Sequence, residues 1–264
     1  MFRADTHCHT SFSDGTEDPM ELVRMAKESG LEGLAFTDHD DVSAHPYAIA
    51  KGADIALLPG VELSCAEGKK SVHLLGYGFD VDAMHAVCRE YKRLRDERNH
   101  KMLERLKELG MPIDISELVS LGSLGRPQIA LAMVKKGYVS SFREAFDRWI
   151  GDRAPAFVQV DRYSPCEGIE QIHSCGGFAV LAHPHLIDSK ALLKGLLTLD
   201  FDGIEAHYGD FSKARSAPFE QAAKERGWFV TGGSDFHGSI KPYSYLGSSW
   251  TQEALFTKML GGRR

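Results

Sequence analysis

The chain has 264 residues, of which 43% are hydrophobic, and it carries a formal net charge of -6. This length can bury one large core, whereas the negative charge argues against a broad electrostatic grip on duplex DNA. No apolar run reaches membrane-spanning length and no basic-then-apolar leader begins the chain, which predicts a cytoplasmic protein without membrane contact. Five cysteines without paired spacing predict reduced thiols.

Predicted strands and helices alternate along most of the chain. A strand over residues 2–5 is followed by a helix that begins with a capping box at Asp18, Pro19 and Glu21 and ends near Gly30. Later strands are predicted at residues 31–38, 55–58, 72–77, 177–182, 203–207 and 228–232, and the helices between them at about 42–51, 164–175 and 212–226. Such alternation is typical of a parallel sheet that helices cover on both faces.

Histidines and carboxylates cluster where these strands end. They occupy seven short segments, at residues 5–9, 13–15, 37–39, 59–62, 72–73, 182–184 and 234–237. Because alternate side chains of a strand share a face, His7 and His9 can bind one ion, and Asp235 and His237 repeat the same spacing. Imidazole and carboxylate groups in these proportions suit first-row divalent metals, so the sequence predicts a multinuclear metallohydrolase.

The number of ligand-bearing strand ends favours a closed sheet. Such ligands cannot all meet along the edge of an open doubly wound sheet, but they can at the C-terminal face of a barrel. We therefore expect an α/β fold, a distorted TIM-like (β/α)7 barrel of about seven strands. Residues 83–161 break the alternation, and helices predicted at 89–109, 127–136 and 141–150 form an insertion over that face. The predicted organisation is a first barrel part at 1–82, the helical insertion at 83–161 and a second barrel part at 162–264.

An ordered set of motifs resembles the PHP family, named for its polymerase and histidinol phosphatase members. The motifs are DTHCHTSFSDGT, FTDHD, LPGVELS, VHLLGYG, LAHPH and GSDFHG. The insertion, with ERNHKM and GRPQIALAMVKKGYVSS, resembles the branch of 3',5'-nucleotide bisphosphate phosphatases and 5'-to-3' exoribonucleases. The resemblance implies a metal-dependent phosphoesterase acting on a bisphosphorylated nucleotide or on short, 5'-phosphorylated single-stranded RNA. A histidinol-phosphate phosphatase and a non-catalytic PHP module remain the alternatives, and the oligomeric state stays open.

The same resemblance implies two to three divalent ions, with Mn²⁺ favoured and Fe²⁺ or Zn²⁺ as alternatives. The first ion would be bound by His7, His9, Glu62 and Asp235; the second by Glu62, His73 and His183; and the third by Asp14, His39 and His237. Asp14 stands where some relatives have histidine, so we expect a weaker third site. Glu62 and Asp235 are expected to be essential because they bind the pair that activates a hydroxide to attack phosphorus.

Three further residues are candidates for contact with substrate. His207 ends a predicted strand and should face the barrel mouth, where a catalytic or substrate-binding role and a structural role are equally open. Arg126 precedes a predicted helix and favours a phosphate site built with the helix-end N–H groups, the alternative being a surface arginine in a turn. Lys241 is a second, weaker candidate for a phosphate contact.

Overall fold

The computed structural model describes residues 2–118, 122–158 and 163–263. Its strands are β1 (Ala4–Cys8), β2 (Gly33–Phe36), β3 (Ala56–Leu57), β4 (Gly60–Glu67), β5 (Lys70–Tyr77), β6 (Phe178–Leu181), β7 (Gly203–Tyr208) and β8 (Phe229–Gly233). Its α-helices are α1 (Pro19–Glu28), α2 (Ala44–Ala50), α3 (Val81–Glu108), α4 (Arg126–Lys135), α5 (Phe142–Ala145), α6 (Pro165–Ser174), α7 (Lys190–Leu196), α8 (Lys213–Arg226) and α9 (Glu253–Leu260). None of these helices is long and apolar enough to cross a membrane.

The strands form two sheets, one of order β1-β2-β3 and one of order β4-β5-β6-β7-β8. The first sheet is parallel, whereas in the second sheet β5 runs antiparallel to both β4 and β6. At the two places where the sheets adjoin, the His9 amide donates to Phe236 at 2.8 Å and the Asp40 amide donates to Glu62 at 3.0 Å.

The expectation of a (β/α)7 barrel is thus confirmed only as an α/β fold. Isolated bridges join the two sheets, and the described strands do not form a closed barrel. The predicted strand at 55–58 is only β3, and the separate β4 carries Glu62 in its interior rather than at its end. Apolar periodicity shows that residues are buried in a strand, but it does not show the direction in which that strand pairs.

Local capping explains where two of the helices begin. The side chain of Asp18 accepts a hydrogen bond from the Met20 amide at 2.8 Å, and α1 begins at Pro19. At α6 the hydroxyl of Ser164 accepts from the Glu167 amide at 3.3 Å, and the Glu167 carboxylate accepts from the Ser164 amide at 2.7 Å. Both predicted starts are confirmed because each depends only on neighbouring residues.

The predicted insertion has an apolar cluster of its own. In this cluster Met102 and Leu106 of α3 pack with Ile129 and Met133 of α4. The first half of α3, including Met84, packs instead on the cluster of β4 and β5. The helix is therefore longer than predicted, because it joins the strands to the insertion. The boundaries 1–82, 83–161 and 162–264 remain a proposal, and the second boundary lies outside the described residues.

Candidate metal centre

Glu62 lies at the centre of a cluster of histidines. Its Oε2 atom is 3.1 Å from Nε2 of His9 and 3.1 Å from Nδ1 of His39. Its Oε1 atom is 2.9 Å from Nδ1 of His73 and 2.8 Å from Nε2 of His183. One carboxylate with histidines at both oxygens has the arrangement of a ligand shared by two cations.

Asp235 and Asp14 bring the remaining predicted ligands to the same place. The Oδ1 atom of Asp235 is 3.4 Å from Nε2 of His7, from Nε2 of His9 and from Nδ1 of His237. The Oδ1 atom of Asp14 is 3.3 Å from Nδ1 of His9 and 3.3 Å from Nε2 of His237. The structure therefore places all nine residues predicted from the sequence in one cluster.

Within this cluster, three sets of ligand atoms could each hold an ion, and the atoms of each set lie within 4.8 Å of one another. The sets are His9, Asp14, His39 and His237; His7, His9 and Glu62; and His39, Glu62 and His73. His9, His39 and Glu62 each belong to two sets. The division of the nine side chains among individual ions accordingly stays a proposal.

Buried nitrogen atoms in this cluster indicate that it is built for cations. Nε2 of His7, Nε2 of His9 and Nδ1 of His39 lie 3.1–3.5 Å from carboxylate oxygens, but none of the three forms a hydrogen bond with a described residue. Burial of an unpartnered polar atom is unfavourable, and native proteins rarely leave one without a reason. A divalent metal accepts lone pairs of this kind from imidazole, so the residues present fit divalent metal ions.

The electrostatics of the centre keep its carboxylates charged. Burial favours the neutral form of Glu62, but His39 and the other nearby histidines outweigh burial and lower the pKa of Glu62 well below its usual range. The pKa of Asp235 is lowered in the same way, since His7 and Lys241 outweigh its burial. Both carboxylates are therefore anionic at neutral pH, the form in which a carboxylate can bind a cation.

Two predicted ligands have a strained backbone. His183 has φ of 26° and Asp235 has φ of 53°, and Asp40, which follows His39, has φ of 55°. These are three of the four non-glycine residues with positive φ in the described chain, the fourth being Arg153. Such conformations are uncommon for residues with a Cβ atom and persist where surrounding contacts hold them, often at functional sites.

The structure places Lys241 at the centre. Its ammonium group pairs with Oδ2 of Asp235 and donates to the hydroxyl of Tyr208 at 2.8 Å. That hydroxyl in turn donates to Asp235 at 2.7 Å. Tyr208 was not predicted from the sequence, because it follows His207 in the strand and only the three-dimensional structure shows which of the two side chains reaches the centre.

The structure does not bring His207 to the ligand cluster, which corrects the expectation that its side chain faces the barrel mouth. Its Nε2 atom is 2.8 Å from Oε1 of Glu220 on α8, and its side chain is 44% exposed. The pairing of β7 with β8 shifts register between Glu205 and His207. The two residues therefore do not share a face as regular alternation would require.

Arg126 is engaged within the insertion. Its guanidinium donates to Asp152 at 2.8 Å and lies 5.8 Å from the ring centroids of both Phe146 and Phe157. Its helix nevertheless adjoins the metal centre, because the side-chain amide of Gln128 donates to the carbonyl of Ser13 at 2.6 Å. The described contacts of Arg126 are thus to the insertion, and a role in binding phosphate stays a prediction.

Sequence reasoning also missed the carboxylate of Glu205, which lies 2.8 Å from Nδ1 of His7 and is 1% exposed. The sequence did indicate that Glu205 is unusual, since it stands between the apolar residues Ile204 and Ala206 of β7. A charged residue at such a position is rarely buried unless it is paired. Arg95, which forms an ion pair with Asp40 beside His39, was missed for a similar reason, because the two residues are distant in sequence.

An α/β fold with this histidine and carboxylate cluster defines a metal-dependent hydrolase. Residues 5–151 match the model of the PHP domain, and the chain belongs to the PHP family. A 5'-3' exoribonuclease from Haemophilus influenzae is 33% identical, over 88% of this chain and 89% of that protein. A 3',5'-nucleoside bisphosphate phosphatase from Chromobacterium violaceum is 30% identical, over 90% of this chain and 88% of that protein.

Two further comparisons agree with this family assignment. A phosphoribosyl 1,2-cyclic phosphate 1,2-diphosphodiesterase from Eggerthella lenta is 28% identical, over 92% of this chain and 97% of that protein. The crystal structure of a Bifidobacterium adolescentis protein, described as a candidate metal-dependent phosphoesterase, superposes with a TM-score of 0.86 at 29% identity. The superposition covers 97% of this chain and 95% of the Bifidobacterium adolescentis chain. The protein is a metal-dependent phosphoesterase of the PHP family.

Proposed function

We propose that this enzyme hydrolyses a phosphate ester of a nucleotide, either a 3',5'-bisphosphorylated nucleoside or the 5'-phosphorylated end of a short single-stranded RNA. The observation that carries the proposal is the convergence of nine candidate metal ligands on Glu62 and its neighbours. The choice of substrate is supported by the relatives named as an exoribonuclease and as a nucleoside bisphosphate phosphatase. The helical insertion beside the centre supports a substrate larger than the reacting phosphate alone.

The proposed cofactor is two to three divalent ions, with Mn²⁺ favoured over Fe²⁺ and Zn²⁺. When bound, such ions supply Lewis-acid activation of water and neutralise charge on the phosphoryl group. Glu62 would be the ligand shared by two of them, because histidines approach both of its oxygens. Asp235 would hold one ion through Oδ1, while Tyr208 and Lys241 keep Oδ2 in place.

The chain's own cations have separate proposed tasks. Lys241 lies beside Asp235 and can offer its ammonium group to an oxygen of the reacting phosphate. Arg126 would bind a second, remote phosphate, which would replace the carboxylate of Asp152 as its partner. This arrangement favours substrates with two phosphate groups over histidinol phosphate. A non-catalytic PHP module is disfavoured because all nine candidate ligands lie in one cluster.

A panel of phosphate esters tests the proposal. Metal-free protein reloaded with Mn²⁺ would be assayed on a nucleoside 3',5'-bisphosphate, a 5'-phosphorylated oligoribonucleotide, histidinol phosphate and phosphoribosyl 1,2-cyclic phosphate. We expect the highest kcat/KM on one of the two nucleotide substrates. The Asp235→Asn variant, assayed on the same panel, controls for a contaminating phosphatase. A higher kcat/KM on histidinol phosphate or on the cyclic ester would contradict the proposed substrate class.

A further inference from the structure

Glu205 contacts the ring nitrogen of His7 that points away from the other carboxylates. Oε1 of Glu205 is 2.8 Å from Nδ1 of His7, and both side chains are almost fully buried. The opposite nitrogen, Nε2 of His7, lies 3.4 Å from Asp235 and 3.5 Å from Glu62. Glu205 is therefore placed behind His7 and not among the groups that face the centre.

This contact determines how His7 can bind a cation. A carboxylate oxygen accepts hydrogen bonds, so the 2.8 Å contact assigns the hydrogen to Nδ1 of His7, which donates it to Glu205. In the neutral ring Nε2 then has a free lone pair, which faces Glu62 and Asp235. That nitrogen is one of the buried atoms without a hydrogen-bond partner among the described residues.

The second oxygen of Glu205 holds another predicted ligand. Oε2 of Glu205 accepts a hydrogen bond from the backbone amide of His183 at 2.8 Å. His183 has φ of 26°, a strained conformation, and its ring reaches Oε1 of Glu62 at 2.8 Å. One carboxylate thus contacts a side chain of β1 and a backbone segment that follows β6.

We infer that Glu205 is a positioning residue of the metal centre, which sets the tautomer of His7 and holds the backbone of His183 for cation binding. The inference rests on the proposed function only in that the cluster binds divalent cations. Partners of this kind behind a ligating histidine orient the ring and raise its basicity, and their loss weakens metal affinity about 10–100-fold. The side-chain contacts of Glu205 among the described residues are to His7 and to the backbone of His183.

The test compares variants of two carboxylates that contact histidine at the same distance. Glu205→Gln nearly preserves size but can offer an acceptor to only one of the two N–H groups, and Glu205→Ala removes both acceptors. Glu220→Gln is the matched control, because Glu220 of α8 contacts His207 of β7 at the same distance of 2.8 Å, and both of these side chains are exposed. Each metal-stripped protein would be titrated with Mn²⁺ in the absence of substrate.

We expect the dissociation constant of the tightest Mn²⁺ site to rise about 10–100-fold in the Glu205 variants and to stay unchanged in Glu220→Gln. Excess Mn²⁺ should restore most of the activity on the best substrate.

Wild-type Mn²⁺ affinity in folded Glu205→Gln would overturn the inference. So would a lower unfolding midpoint of the metal-free protein together with unchanged affinity, since that is the behaviour of a purely structural residue. If Glu205→Ala does not fold, Glu205→Gln decides alone. Because the Mn²⁺ titration itself contains no substrate, the substrate panel can fail without affecting the measured affinities.

Discussion

The ion pair of Arg95 and Asp40 allows a quantitative test of how the insertion supports the metal centre. Two nitrogen atoms of Arg95 on α3 donate to one oxygen of Asp40, at 2.6 and 2.8 Å. The side chains are 9% and 1% exposed, so solvent screens the pair only weakly. Burial alone would raise the pKa of Asp40, yet Arg95 outweighs burial and lowers it.

Arg95→Ala would leave the Asp40 carboxylate buried and without its cation. Loss of one partner of a buried pair typically destabilises a protein by about 3–5 kcal/mol. At roughly 2–4 °C per kcal/mol for a chain of this size, the unfolding midpoint should fall by about 6–20 °C. Because the folded-state pKa of Asp40 is lowered, its stabilisation is present above the unfolded pKa of about 4 and is lost as the pH falls further. The difference in the free energy of unfolding between wild type and Arg95→Ala should therefore become smaller below about pH 4.

Urea unfolding at pH 7 with a chelator would measure the effect without contributions from bound metal. Arg93→Ala is the matched control, because Arg93 also lies on α3, within one helical turn of Arg95. Arg93 pairs with Glu90, and both of these side chains are exposed. It should change stability by only about 0–1 kcal/mol. The double variant Arg95→Ala, Asp40→Asn should be more stable than Arg95→Ala, since it removes the unpaired charge. Equal stabilities for Arg95→Ala and Arg93→Ala would refute the reasoning.

Four further outcomes are expected. Glu62→Gln and Asp235→Asn should each lower turnover to background without unfolding the protein, which circular dichroism and phosphate release at saturating Mn²⁺ would check; near-wild-type activity would exclude the ligand assignment. Elemental analysis after Mn²⁺ loading should find two tightly held ions and a weaker third per chain, and at most one ion would contradict a multinuclear centre. Gly78→Ala should destabilise by about 3 kcal/mol in urea unfolding, because Gly78 has φ of 66° and an added Cβ would lie 1.8 Å from the Met259 carbonyl oxygen. Ser164→Ala should cost about 1 kcal/mol through the lost cap of α6, and no loss would mean that water replaces the hydroxyl.

The sequence by itself determined the features that depend on neighbouring residues. The caps at Asp18 and Ser164 are recognisable because their hydrogen bonds join residues two or three positions apart. The nine candidate ligands were also recognisable, because imidazole and carboxylate groups gathered at strand ends have few structural uses in such numbers. The convergence of His39, His183 and Asp235, which follow β2, β6 and β8, agrees with a general property of parallel strands, whose C-terminal ends lie at one edge of the sheet. Glu62 and His73 reach the same place from the antiparallel pair β4 and β5.

The tertiary structure decided everything that depends on pairing between distant segments. Periodicity alone cannot show that β5 runs antiparallel to β4 and β6, nor that the sheets meet through isolated bridges. The pairing of β7 with β8 shifts register before His207, and Tyr208 reaches Asp235 while His207 pairs with Glu220. Glu205 acquires its contacts because β7 lies between β6 and β8 in the folded sheet, and a buried charge finds its partner in space and not along the chain.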